Sequence, residues 1–317
     1  MTFANPVYDG YFADPFLFRH DDCFYAVGTG PVVEGAAGFE FPVLTSPDLR
    51  RWTSLGGALI RPKVDGHCFW APEVAHHAGI FYLYYSVGVS DQCHELRVAT
   101  SDRPEGPYLD TGKPILPRSS TPFAIDPNPF RDVDGKWYLF YARDFLDSGG
   151  LDRAGTALVV APLIEMVTLS EEFTTVARAH HDWQRYQSKR PIYGGIYDWH
   201  TLEGPCAIRH DDRYYCLYSG GNWQDDTYGV DFVTADSVMG PWTDSNPDLG
   251  PRVLRSVPGH VLGPGHNSVV CSPAGALTIA YHAWDNQKTA RRLCLDELIW
   301  TDDGPRCLEM IEDYGIA

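Results

Sequence analysis

One short plan recurs along this chain, and the recurrence limits the possible fold more than any other feature. A polar or acidic residue stands beside a proline or glycine; an apolar run follows, then an Asp- or Gly-rich turn, then an aromatic run. Ala13-Asp14-Pro15-Phe16-Leu17-Phe18 leads through Asp21-Asp22 to Phe24-Tyr25-Ala26-Val27. Trp70-Ala71-Pro72-Glu73-Val74 leads through Ala78-Gly79 to Phe81-Tyr82-Leu83-Tyr84-Tyr85. Ile125-Asp126-Pro127-Asn128 leads through Asp134-Gly135 to Trp137-Tyr138-Leu139-Phe140-Tyr141. Glu203-Gly204-Pro205-Cys206 leads through Asp211-Asp212 to Tyr214-Tyr215-Cys216-Leu217-Tyr218. A weaker copy opens at Gly265-His266-Asn267-Ser268 and ends in Leu277-Thr278-Ile279-Ala280-Tyr281. The openers at 14, 73, 126, 203 and 266 are 59, 53, 77 and 63 residues apart. A strand-built repeat of this size is the plan of a propeller blade.

Each unit also carries an outer half: a short strand, a Ser/Asp turn, then proline and an aromatic. Leu44-Thr45-Ser46-Pro47 to Trp52, Val98-Ala99-Thr100-Ser101 to Tyr108, and Phe232-Val233-Thr234 to Trp242 follow this pattern. Four short alternating strands per unit predict an all-β, five-bladed β-propeller with four antiparallel strands per blade. Five such units use nearly all 317 residues, so a single domain over 1–317 is expected. Little helix is expected; Leu163 to Ala179 has room for a turn or two. Residues 170–200 form the longest stretch between units and the expected active-face loop, with Tyr193, Tyr197 and Trp199 bordering the site. Pro6-Val7-Tyr8 is expected to pair with the last unit and close the ring.

The formal charge of −17, with no basic stripe, argues against a nucleic-acid partner. No apolar run is long enough to span a bilayer as a helix, so no membrane partner is expected. The start, Met1-Thr2-Phe3-Ala4-Asn5-Pro6, lacks the basic and apolar regions of a signal peptide. The eight cysteines show no Cys-x-x-Cys spacing, and the expectation is reduced thiols and a cytoplasmic location. Oligomeric state is left open.

In a propeller the innermost strands line a central channel, and their starting ends meet at one mouth. The five openers Asp14, Glu73, Asp126, Glu203 and His266 should therefore converge. Four acids at equivalent positions raise one another's pKa, and a sequence built only for stability would avoid them. Glycoside hydrolysis needs such carboxyls, one protonated at the leaving oxygen and one ionised opposite. Singly, Asp-Pro and Glu-Gly-Pro are ordinary turn formers; it is the ordered set that points to chemistry. No Cys/His cluster has zinc spacing, and Gly-x-Ser-x-Gly and His-Glu-x-x-His are absent. His76-His77 and His180-His181 read as solvent-side pairs. Trp137, in mid-strand, reads as packing; Trp70 and Phe69 suit either stacking on a sugar face or packing between units, with a site role favoured for Trp70.

Ala13-Asp14-Pro15, Trp70-Ala71-Pro72-Glu73, Ile125-Asp126-Pro127, Glu203-Gly204-Pro205, Gly265-His266-Asn267-Ser268 and the ending Tyr281-His282-Ala283-Trp284 to Trp300 resemble the signature segments of glycoside hydrolase family 43. The resemblance covers essentially the whole chain, in order. It implies a five-bladed propeller and an inverting hydrolase of arabinose- or xylose-containing glycans. By that resemblance Asp14 is the general base, Glu203 the general acid, and Asp126 the carboxylate that orients the sugar and keeps the pKa of Glu203 raised. Arg291 is implied to reach the sugar, and Trp70 and Glu73 to form the site wall, Glu73 orienting it or touching a substrate hydroxyl. His266 is implied to order a central cation, commonly calcium, through water; the chemistry itself requires no cofactor.

The expected substrate is a small oligosaccharide or glycan, most specifically a terminal α-L-arabinofuranoside cleaved by exo action. β-D-Xylosidase, endo-arabinanase and another terminal sugar stand as alternatives. A non-catalytic carbohydrate-binding propeller is the rival from a different class, and the presence of all three acids argues against it. The fructan-acting five-bladed hydrolases carry a different set, with Asn-Asp-Pro-Asn, Arg-Asp-Pro and Glu-Cys. Inversion predicts two carboxyls about 6.5–9.5 Å apart.

Overall fold

The structure, a computed structural model, describes residues 3–32, 37–150, 152–244 and 250–308. Every unit begins with the strand the repeat predicts: Ala13–His20, Cys68–His77, Ala124–Arg131, Gly195–His210 and Leu262–Cys271. Each of these pairs antiparallel with the aromatic strand behind it. The five first strands touch in a closed cycle, the first also contacting the fifth. The first, second and fifth units are separate four-stranded sheets.

Period-2 alternation decides the packing. A strand points successive side chains to opposite faces, and here both faces are covered. In Ile80–Val89, Phe81, Leu83, Tyr85 and Val87 enter a core shared with Val27, Phe41 and Val43 of the first unit. Tyr84 of the same strand enters a core shared with Leu139, Tyr141 and Val159 of the third. Phe140 and Leu158 meet Cys216 and Tyr218, Leu217 and Phe232 meet Ile279 and Tyr281, and Leu293 and Leu295 meet Leu17 and Phe24. Five apolar cores thus fill the five junctions, and the units cohere through their faces. Each large side chain so buried contributes roughly 1.5–3 kcal/mol.

The ring closes where expected. Tyr8 bridges Leu293, Val7 N–H donates to Leu293 O at 2.9 Å, and Phe12 N–H to Arg291 O at 2.9 Å.

Three details depart from the sequence reading. The third and fourth units are fused into one nine-stranded sheet by parallel pairing of Gly155 with His200 and Thr156 with Thr201. In the fourth unit the fourth strand is reduced to an antiparallel bridge between Thr234 and Thr243, so the four-strand plan does not hold there among the described residues. Leu163 to Ala179, which by sequence has room for a weak helical turn or two, instead holds the end of strand Gly155–Glu165 with strands Thr168–Leu169 and Thr174–Ala177. β-Branched residues and pairing to a neighbouring edge outweigh a weak helical preference.

Candidate active site

Every first strand breaks its ladder at one equivalent place. Register shifts lie between Ala13 and Phe16, Trp70 and Glu73, Glu203 and Cys206, and Gly265 and Ser268. The third unit has the same break, since Ile125 pairs Ala142 and Asn128 pairs Phe140. Each is a β-bulge with one extra residue. Its first residue is left-handed in every unit: Asp14 (φ 50°), Ala71 (47°), Asp126 (57°), Gly204 (56°) and His266 (50°). For the four non-glycine residues this conformation costs about 1–2 kcal/mol each.

The amides released at four of these bulges are taken up by the preceding unit. Ala71 N–H donates to Thr29 Oγ1 at 2.8 Å, His266 N–H to Ser219 Oγ at 2.7 Å, and Asp14 N–H to His282 Nδ1 at 3.1 Å. Thr29, Ser219 and His282 all sit opposite the residue just before the bulge. The third unit has Ala142 there, which has nothing to offer. Gly204 N–H donates instead to Asp126 Oδ2 at 2.9 Å, and this ties the Asp126 carboxyl to the strand that carries Glu203.

The bulges aim their side chains into a cavity of about 400 Å³, where Asp14, Trp70, Asp126, Glu203, His266 and Arg291 all stand on the lining. Arg291 Nη1 lies 3.2 Å from Asp14 Oδ1, and its Nε and Nη2 donate to Tyr11 Oη at 3.1 and 3.0 Å. His282 Nδ1 and His266 Nδ1 lie 3.3 and 3.5 Å from the same Asp14 oxygen. Tyr228 Oη–H donates to Glu203 Oε1 at 2.7 Å.

The acids of this one cavity are driven in opposite directions. Burial opposes ionisation of Asp14, but the Arg291 guanidinium, aided by the two imidazoles, holds its carboxyl far below the usual range. Burial also pushes both histidines below their ordinary value, His282 to about 4, so near neutrality Arg291 is the charge that matters. Glu203 is pushed up to about 7 by burial and by the Asp14 anion, against the Tyr228 hydrogen bond. Asp126 is raised well above a normal aspartate by burial and by Glu203 and Asp14. An ionised carboxylate and a carboxyl that keeps its proton up to about pH 7 therefore face one cavity, the pairing that acid–base cleavage requires.

The family model for glycosyl hydrolases family 43 matches residues 3–305. The chain belongs to glycoside hydrolase family 43. A β-D-galactofuranosidase of Aspergillus niger is 28% identical over 95% of this chain and 83% of that protein. An extracellular exo-α-(1→5)-L-arabinofuranosidase of Streptomyces avermitilis is 25% identical over 96% of this chain, which spans 62% of that protein's length. A crystal structure of a thermostable family-43 glycoside hydrolase superposes with a TM-score of 0.82 at 27% identity, covering 97% of this chain and 96% of the other. The propeller fold of the family 43 structures is the fold seen here.

Within this family 43 enzyme, four residues chosen from the sequence fall elsewhere, Glu73 first among them. Glu73 is not on the cavity lining. The bulge register places Ala71 and Gly204 level with Asp14, Asp126 and His266, so Glu73 is level with Phe16, Asn128, Cys206 and Ser268, one layer down the channel. There it is 3% exposed and accepts a hydrogen bond from Asn128 Nδ2 at 2.6 Å. Asn128 in turn accepts from Ala207 N–H at 3.0 Å. Glu73 buttresses neighbouring first strands and does not form the wall.

Tyr193, Tyr197 and Trp199 also miss the lining. Residues 185–200 fold as a hairpin, Arg185–Ile192 against the start of Gly195–His210, and it is Tyr186 that reaches the cavity. Trp199 is buried (1%).

Among the described residues no direct calcium ligand set is present. Calcium takes six to eight oxygen ligands, whereas His266 Nδ1 faces two carboxylates, one of them already paired with Arg291. Among the described residues no group of three or more His, Cys, Asp or Glu could hold a metal ion. The cation expected near His266 is one ordered through water, and the side chains around His266 supply no direct ligand set for it.

The sequence reading missed Tyr11, Asp91, Trp223, Tyr228 and His282. His282 lies in a matched segment, but nothing in Tyr281-His282-Ala283 reveals that its ring meets Asp14. Trp223, whose ring centre is 4.5 Å from the Arg291 guanidinium carbon, sits in a loop without periodicity.

Proposed function

We propose that this enzyme removes terminal α-L-arabinofuranosyl residues from short oligosaccharides by single displacement with inversion. In this reading Asp14 accepts a proton from a water molecule as the water oxygen attacks the anomeric carbon. Glu203 gives its proton to the departing glycosidic oxygen, so one C–O bond forms as the other breaks. Asp126, fixed by Gly204 N–H, would orient the sugar, while burial and the Asp14 anion, rather than Asp126, would keep Glu203 protonated. Arg291 would hold Asp14 ionised and reach the sugar beside it, and Trp70 would stack on the ring. The observation that carries the reading is one cavity with Asp14 paired to Arg291 and Glu203 held by the Tyr228 hydroxyl, surroundings that drive the two carboxyls apart. Exo action is supported by the bounded space, where the Ser90-Asp91 hairpin tip and the Trp223-Gln224 loop stand on the lining.

A terminal β-D-galactofuranoside is the second reading, favoured by the name of the Aspergillus niger relative. The two furanosides share their ring configuration and differ by one exocyclic hydroxymethylene group.

The test is nitrophenol release from the α-L-arabinofuranoside, β-D-galactofuranoside and β-D-xyloside, with Glu203→Gln as the blank, and proton NMR of the first-formed anomer. Fastest turnover of the arabinofuranoside with inverted product is expected. Retained product would sink the single displacement. Preference for the xyloside would replace the sugar, and release only from arabinan polymer would replace exo by endo action.

A further inference from the structure

Beside Glu203 the main cavity opens into an annex of about 70 Å³, lined by Asp144, Thr156, Tyr186, Arg190 and Thr201. Glu203, Trp70 and Trp223 line both spaces, whereas Asp14, Asp126, His266 and Arg291 line only the main one. We propose that the annex is the leaving-group subsite, where Asp144 and Arg190 hydrogen-bond hydroxyl groups of the departing sugar. The proposal rests on the reading of Glu203 as general acid: its proton goes to the leaving oxygen, so the departing group lies on the side of Glu203 away from Asp14.

Asp144 is built for such a contact. It sits opposite Thr156 in the sheet, takes the Thr156 hydroxyl on Oδ1 at 2.8 Å and the Tyr193 hydroxyl on Oδ2 at 2.7 Å. A carboxylate has about four acceptor positions, and two hydroxyl donors leave capacity for a ligand. Those donors do not offset burial, which pushes the carboxyl up to about 6. A group that costs this much and lies beside a cavity is better explained by a ligand than by the packing of its own strand.

Arg190 supplies the complementary donors. Its guanidinium carbon stands 5.1 Å from the Tyr186 ring centre and 5.3 Å from that of Trp199, and its Nη2 meets Asp91 Oδ2 at 2.5 Å. Among the described residues that is its one hydrogen-bonded N–H, and the other donors of the fork remain available. The hairpin that carries Tyr186 and Arg190 falls within the longest interval between units, 77 residues between openers. A water molecule needs about 10–15 Å³ of such space, so the annex takes one hydroxyl-bearing edge of a sugar, not a whole ring.

The experiment compares kcat/KM of the wild type, Asp144→Asn and Tyr193→Phe on α-1,5-arabinobiose and on nitrophenyl α-L-arabinofuranoside. If galactofuranose or xylose is the sugar, the corresponding disaccharide and its nitrophenyl glycoside are used instead. Asp144→Asn should lose about 10- to 100-fold on the disaccharide, as for a hydrogen bond to a charged group, and only about 3-fold on the aryl glycoside, whose leaving group has no hydroxyls to bind. Tyr193→Phe, which leaves the carboxylate in place, should lose less on the disaccharide than Asp144→Asn. Equal losses of Asp144→Asn on both substrates, or Tyr193→Phe reproducing it, would make Asp144 a support for the hairpin and overturn the subsite. A wild type inert towards every substrate removes the hydrolase reading and the subsite with it.

Discussion

Glu203 and Glu73 are both glutamates on first strands, both lie beside a bulge, and both are pushed above the ordinary carboxyl range by burial. Glu203 stands just before its left-handed residue, Gly204, and keeps part of its surface open to the cavity. Glu73 stands two residues after its own, Ala71, one layer lower and sealed. Opposite Glu203 is an ionised aspartate with an arginine; beside Glu73 is the amide of Asn128. Desolvation alone makes a neutral carboxyl. It becomes a useful acid only where a reactant can reach it and a second, oppositely tuned group faces it.

The largest expected effect separates the two glutamates directly. Glu203→Gln should lower kcat on a natural glycan by roughly 10²–10⁴-fold, the usual contribution of general acid catalysis. It should also keep the fold. A carboxyl whose folded pKa is raised binds its proton more tightly than the unfolded chain does, so it weakens stability as pH rises from the unfolded value towards about 7. The glutamine variant should therefore melt no lower than the wild type at pH 8, measured by calorimetry. Wild-type kcat at pH 6 would take Glu203 out of the mechanism.

Backbone geometry is the next point of attack. A methyl group at 204 would stand 3.1 Å from His266 Cγ in a left-handed conformation (φ 56°). Gly204→Ala should cost about 1–2 kcal/mol in denaturant unfolding, with lowered activity because the amide that holds Asp126 shifts. The converse, Ala71→Gly, relieves the same conformation and should be neutral or stabilising by up to about 1 kcal/mol. A tolerant Gly204→Ala would mean the bulge can relax.

Tyr228→Phe sharpens the tuning. The phenol donates to Glu203 and favours its anion, so its loss should raise the Glu203 pKa. The fall in kcat/KM expected as pH rises through about 7 should then move to higher pH. A shift to lower pH would show that Tyr228 does not act through that bond.

Glu73→Gln should have the smallest effect. The Gln carbonyl can still accept from Asn128 Nδ2, and a neutral side chain replaces a group already held neutral, so kcat/KM should change by less than about 3-fold. A loss comparable with that of Glu203→Gln would return Glu73 to the site.

Much of the fold was legible because strand alternation and turn residues are local signals. Phe81-Tyr82-Leu83-Tyr84-Tyr85 reads as a strand covered on both faces, and the five repeats of such runs give the blade plan. The openers were legible as a set for the same reason. Their register was not, since an extra residue in a strand leaves no mark in composition. Counting from Pro72 places Glu73 among the openers, and only the pairing of Trp70 with Ser86 and Glu73 with Tyr84 moves it a layer down.

By itself the sequence determined the repeat, the all-β class, and the gathering of the acid-bearing strand starts at one mouth, because ring closure brings equivalent strands together. Only the tertiary structure decided which carboxyl is ionised and which holds its proton. That depends on Arg291 and His282, 277 and 268 residues from Asp14, and on Tyr228 beside Glu203. A pKa is set by neighbours in space and by water excluded from a cavity, and neither is written in the spacing of residues along a chain.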